Sequence, residues 1–204
     1  MDDTQLLRYS RHLLLDALGP DAQERFAAGR ALVVGVGGLG NPAAQFLASA
    51  GVGRITLVDA DSVDLTNLQR QILFSMDDVG APKVEAAARR LAAINPEPDY
   101  VGVARRVGPG ELVALAADAD VVLDCTDNFA TRHAINRACV DVRVPLVSGA
   151  AVRFDGQVAV FDARDPASPC YHCLFGEGEE LEETRCATMG VFAPLVGVVG
   201  AMQA

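Results

Sequence analysis

Basic residues are scarce in this chain: 204 residues hold 17 lysines and arginines against 27 aspartates and glutamates, a net charge of −10. Such a surface repels a phosphate backbone, which excludes nucleic acid as a general partner. Any phosphate chemistry must come from a few cations converging in one cleft. Long apolar runs are also missing, and nothing approaches the ~20 residues that a membrane-spanning helix needs. The opening Met1-Asp2-Asp3-Thr4 has neither the basic flank nor the apolar core of a signal peptide. A cytoplasmic location with no membrane contact is expected. Five cysteines (Cys125, Cys139, Cys170, Cys173 and Cys186) read better there as core residues, metal ligands or a reactive thiol than as disulfides.

With 50% hydrophobic residues a sizeable core forms easily, and this length favours one domain. Residues 3–28 read as two short helices, with Pro20 suited to a first helical position and Gly29 to a C-terminal cap. Residues 31–34, 55–59 and 121–124 are apolar at nearly every position, as suits parallel strands covered on both faces. Helical patterns lie at 39–50, 82–94, 109–117 and 128–142. The alternation predicts a doubly wound, Rossmann-like α/β sheet, mostly parallel. After Pro145 the rhythm changes. Residues 152–161 alternate on both sides of Asp155-Gly156, a hairpin signal that extends the sheet with antiparallel strands. The glutamate-rich stretch 176–185 reads as a mobile loop.

Gly35-Val36-Gly37-Gly38-Leu39-Gly40 follows the first strand and opens a helix, and Asp59 ends the next strand. In that setting glycines admit a phosphate close to the backbone, the helix N-terminus supplies N–H donors, and the carboxylate accepts from a ribose hydroxyl. Alone, this fits NAD better than ATP. Asn67-Leu68-Gln69-Arg70-Gln71, Lys83 and Asp124-Cys125-Thr126-Asp127-Asn128 pull the reading towards a triphosphate. Attack at an α-phosphorus builds charge that arginine, lysine and a Mg²⁺-binding carboxylate can stabilise. Lys83 opens a helix, where a cation opposes the dipole, and this suggests an anion nearby.

These segments, with Arg8-Tyr9-Ser10-Arg11, Asp59-Ala60-Asp61, Pro82-Lys83 and Cys170-Tyr171-His172-Cys173, resemble in order and spacing the MoeB/ThiF group of the ubiquitin-activating-enzyme superfamily. The resemblance implies an adenylation domain over residues 1–204, with an N-terminal helical segment (1–29), a nucleotide-binding core (30–150) and an antiparallel extension (151–204). It implies ATP-dependent activation of the C-terminal glycine of a ubiquitin-like sulfur carrier ending in Gly-Gly, of the molybdopterin or the thiamine pathway, for later attack by a sulfur donor protein. By position, Gly35, Gly37, Gly38, Gly40, Asp59, Asp61, Asn67, Gln69 and Asn128 hold the nucleotide. Asn67, Arg70 and Lys83 hold the phosphates and stabilise the transition state, while Asp127 binds Mg²⁺. Arg11 reaches the other subunit's site in a homodimer.

Cys170 and Cys173 form half of a structural zinc site. The family's second C-x-x-C lies beyond residue 204, so the sequence is expected to be cut short. Cys186 matches a cysteine used in sulfur transfer by some relatives. An NAD-dependent oxidoreductase would explain the glycine loop and Asp59, but leaves Asn67, Arg70, Lys83 and Asp127 without duties. A non-catalytic binder of a ubiquitin-like protein is the other alternative. Segments 148–152 and 193–197 look closer to the molybdopterin-pathway activator, and 127–132 to the thiamine one.

Overall fold

A computed structural model describes residues 1–176 and 189–204. One six-stranded sheet has the order β3-β2-β1-β4-β5-β6. Its strands are β1 (Arg30–Val34), β2 (Arg54–Val58), β3 (Asp99–Val103), β4 (Val121–Asp124), β5 (Leu146–Val152) and β6 (Asp155–Phe161). All pairs are parallel except β5–β6. The helices in chain order are α1 (Asp3–Arg8), α2 (Ser10–Leu13), α3 (Gly19–Ala28), α4 (Gly40–Ala50), α5 (Lys83–Ile94), α6 (Pro109–Ala117), α7 (Phe129–Val142), α8 (Tyr171–Leu174) and α9 (Ala193–Gln203). One core cluster holds Val33, Leu47, Ile55, Leu57, Val84 and Leu91. A second holds Leu32, Leu112, Val122, Ile135 and Leu146. Strands apolar on both faces thus bury both, as a doubly wound sheet requires.

Two expectations need correction. Residues 3–28 form three helices, because the chain breaks at Tyr9 as well as between Leu13 and Gly19, whose φ is +65°. Gly29 is the C-cap of α3, as expected, in an extended conformation (φ −74°, ψ 152°) because the chain passes straight into β1. The β5–β6 turn falls on Arg153-Phe154, with Arg153 at φ +51°. Asp155 already pairs with Val152, and Gly156 with Ala151. Gly156 serves packing instead: a Cβ there would lie 2.8 Å from Val199 and 2.9 Å from Leu195 on α9.

The short α1 and α2 dock at the sheet edge opposite the strands' carboxyl ends. Buried Tyr9 donates to Glu97 at 3.0 Å and accepts from the Asn95 amide at 2.9 Å. Arg8 donates to the Ile94 carbonyl at 3.1 Å. Arg8 is therefore held by its own chain. The apolar 191–204 stretch becomes α9, packed on α4, β5 and β6. The acidic stretch lies outside the described residues from Glu177 to Arg185, as does Cys186. Among the described residues, no helix is long and apolar enough to cross a membrane.

Candidate functional site

A cleft of about 1360 Å³ opens at the carboxyl ends of the parallel strands. This is the edge where open α/β sheets bind ligands. Its floor is the β1–α4 turn. Gly35 has φ +90°, and a Cβ there would lie 2.7 Å from the Cys125 carbonyl, so only glycine passes between β1 and β4. Gly38 is wedged between Val196 and the aliphatic stem of Arg70, whose Cγ would be 3.6 Å from an added Cβ. Arg70 thus lies directly over the phosphate-type loop. Its guanidinium donates to the Thr66 carbonyl at 3.0 Å, which orients it with most of its donors unengaged by the described residues.

Asp59 braces the same loop. Its Oδ2 accepts from the Val36 N–H at 2.8 Å and its Oδ1 from the Asp61 N–H at 2.9 Å. Each oxygen keeps a lone pair for a further donor. Lys83 is only 6% exposed at the first turn of α5. Its Nζ meets Asp61 Oδ2 at 2.8 Å. The anion inferred beside this cation is thus present in the chain itself, on an exposed carboxylate. Asn67 caps its own turn, accepting from the Asp64 N–H at 3.2 Å. Asn128 caps α7 through the Thr131 N–H at 2.9 Å. Between these caps Asp127 is exposed, and no hydrogen bond or ion pair from the described residues engages its carboxylate.

The cleft therefore unites Gly35, Gly37, Gly38, Asp59, Asp61, Asn67, Arg70, Lys83, Asp127 and Asn128. Gly40 and Gln69 stand outside its wall. Gly40 packs on the Gly35 carbonyl, and Gln69 is exposed. Arg11 is remote: it follows Tyr9, which sits against Gly51 at the far end of α4. That helix is 11 residues long, about 16 Å at 1.5 Å per residue.

Some groups of the site escaped sequence reasoning or were named there only as members of a motif, without a role. Arg105 and Arg106 line the cleft after β3, and Arg105 is taken by Glu111. Gln71 is buried, and its Oε1 has no hydrogen-bond partner among the described residues. Beneath Asp127 lies a buried network centred on Asp124. This carboxylate accepts from Ser148 Oγ at 2.9 Å and Thr126 Oγ1 at 2.7 Å, and Arg132 stands 3.6 Å away. Arg132 also donates to the Thr126 carbonyl. Asp124 was marked in the sequence by the motif that ends its strand, and for Arg132 the signal was an arginine within the helical pattern 128–142.

Cys125 and Cys139 are core residues, as expected. Burial pushes the Cys125 thiol far up, and neighbouring Asp124 adds to the effect, so the thiol at the cleft floor is inert. Cys170 and Cys173 place their sulfurs 3.7 Å apart. Two thiolates at 2.3 Å from one tetrahedral zinc stand about 3.8 Å apart, so the pair fits half such a site. Among the described residues no group of three or more His, Cys, Asp or Glu could hold a metal ion.

The family model described as the ThiF family matches residues 9–204. The chain belongs to the ThiF family. It is 49% identical over 207 aligned residues to the molybdopterin-synthase adenylyltransferase of Escherichia coli (strain K12), covering 100% of this chain and 81% of that protein. To the sulfur carrier protein ThiS adenylyltransferase of the same organism it is 45% identical over 204 residues, covering 100% and 80%. Among solved structures, E. coli MccB with ATP superposes with a TM-score of 0.78 at 28% identity, covering 96% of this chain and 60% of that one. The chain thus spans about three fifths of that structural relative.

Proposed function

We propose that this ThiF-family chain is an ATP-dependent adenylyltransferase acting on the C-terminal glycine carboxylate of a ubiquitin-like sulfur carrier. The observation that carries the reading is the cleft itself. Arg70 lies on the glycine loop, and Lys83 and Asp127 share the same strand edge. These are the cationic and metal-binding groups that a triphosphate attacked at its α-phosphorus needs, and an NAD site gives them no task.

The carrier's carboxylate oxygen forms a bond to the α-phosphorus, the bond from that phosphorus to the bridging oxygen breaks, and pyrophosphate leaves with the electron pair. No protein nucleophile is required, in keeping with the inert Cys125. Gly37 and Gly38 admit the phosphates to the N-terminus of α4, and Asp59 accepts from the ribose. Arg70 and Lys83 offset the charge that grows on the phosphates. Asp127 suits a hard cation, because such ions take one or two carboxylates alongside waters and phosphate oxygens. Bound there, Mg²⁺ would neutralise the departing pyrophosphate. Cys170 and Cys173 supply two of four zinc ligands, and Cys186 is a candidate for sulfur transfer.

The working unit in this reading is a homodimer in the cytoplasm, served by a sulfur donor protein. Leu7, Leu14, Ile72 and Met76 are exposed apolar side chains that a second copy would cover, and Arg11, far from its own cleft, would serve the neighbour's. ATP–pyrophosphate exchange tests the proposal. It should require Mg²⁺ and a protein ending in Gly-Gly. Tight NAD binding without exchange would favour the oxidoreductase instead.

A further inference from the structure

The ladder between β4 and β5 stops at the pair Asp124–Ser148. There the chains fork. β5 runs on beside β6, while Cys125-Thr126-Asp127 turns off towards α7. A fork in a buried sheet leaves carbonyls without ladder donors, and each would be costly to bury unpaired. One side chain fills this fork. Gln203, 3% exposed at the end of α9, donates from Nε2 to the Asp124 carbonyl at 2.8 Å and to the Val147 carbonyl at 3.2 Å. Its Oε1 lies 3.6 Å from the Cys125 thiol. Gly149 leaves it room, since a Cβ there would run into the Gln203 amide.

The same helix touches the other half of the cleft. Val196 abuts Gly38, at 2.6 Å from an added Cβ, and Gly200 sits against the Leu39 carbonyl. One rigid helix thus braces both the phosphate-type loop and the exit of the strand that leads to Asp127. We propose that Gln203 is a positioning residue for adenylation: it sets the Asp127 loop relative to the glycine loop, and so the placing of the metal against the triphosphate. The inference rests on the ATP reading above and adds a residue that touches neither nucleotide nor metal. Supporting residues of this kind are typically worth 10–100-fold in metal affinity or activity.

The test uses Gln203→Met, which keeps the bulk and removes the donors, and Gly149→Ala, which keeps the glutamine and takes its space. ATP affinity is measured by calorimetry with Mg²⁺ and with EDTA, beside pyrophosphate exchange. Expected for either folded variant is roughly a tenfold loss in the gain that Mg²⁺ gives to ATP binding, with exchange slowed at least as much. Affinity in EDTA should stay within about twofold, because the glycine loop is untouched. Equal losses with and without Mg²⁺, an unchanged Mg²⁺ response, or failure of both variants to fold would make Gln203 a general structural residue and overturn the proposal. If the wild type binds Mg²⁺·ATP but exchanges no pyrophosphate, the adenylation reading fails, while the Mg²⁺-linked comparison still decides the role of Gln203.

Discussion

Acid should weaken this protein in part through a buried carboxylate, Asp78. It is 1% exposed in the crossover segment between β2 and α5, the segment that carries Asn67 and Arg70. Its oxygens accept from the Ser75 N–H at 2.8 Å, Arg89 at 2.5 Å and Arg90 at 2.8 Å. Burial pushes the carboxyl up, but the Ser75 N–H and the two guanidiniums outweigh it and hold it at about 2, below the ordinary 3.8. A depressed folded pKa stabilises the protein fully above the unfolded value, and that contribution is lost as pH falls through the folded one. At roughly 1.4 kcal/mol per pKa unit, the difference amounts to about 2 kcal/mol. Because Arg89 and Arg90 are partly in solvent, we treat this as an upper figure. Asp78→Asn removes the titrating group. Urea unfolding followed from pH 6 to pH 2 should show the wild type losing up to about 2 kcal/mol more than the variant, mostly below pH 4. Parallel stability curves over that range would refute the reasoning. Since the cluster fastens the crossover segment to the helix that begins with Lys83, nucleotide binding should fail over the same interval.

Further expectations concern the cleft. Asp127→Ala should abolish pyrophosphate exchange with an unchanged circular dichroism spectrum, and wild-type exchange in that variant would remove Asp127 as the metal ligand. Arg70→Ala should slow turnover on the order of 10²–10³-fold while weakening ATP binding far less, and normal turnover with weak binding would contradict its transition-state role. Mixing Arg11→Ala with Asp127→Ala should restore activity if subunits exchange, because one site of the mixed dimer then carries neither lesion. A mixture that stays inactive despite exchange would mean that Arg11 does not act across the interface.

How much of this was legible in the sequence depends on whether the signal was local. β1, β2 and β4 announced themselves because both faces are buried, and α4 to α7 because their periods and boundaries agree. β3 was missed: as an edge strand it is half-buried, and Asp-Tyr-Val-Gly-Val carries little apolar pattern. The hairpin was displaced because Gly156 looked like a turn residue, whereas contact with α9 demands it. The glycine loop and Asp59 were readable from spacing alone. Lys83 was read correctly as a cation with an anion nearby, but its partner Asp61 lies 22 residues away in sequence. The clamp on Asp124 comes from Arg132, Ser148 and Gln203, on three different elements, and no local pattern joins them.

The central claim is transfer of an adenylyl group from ATP to the carrier's C-terminal carboxylate, and the most direct measurement is the mass of the carrier after one turnover. Incubated with ATP, Mg²⁺ and a ubiquitin-like carrier ending in Gly-Gly, the protein should yield a carrier heavier by one adenylyl group. The adduct should be lost when the terminal glycine is removed and absent with Asp127→Ala. A carrier of unchanged mass, while ATP is bound or consumed, would contradict the account.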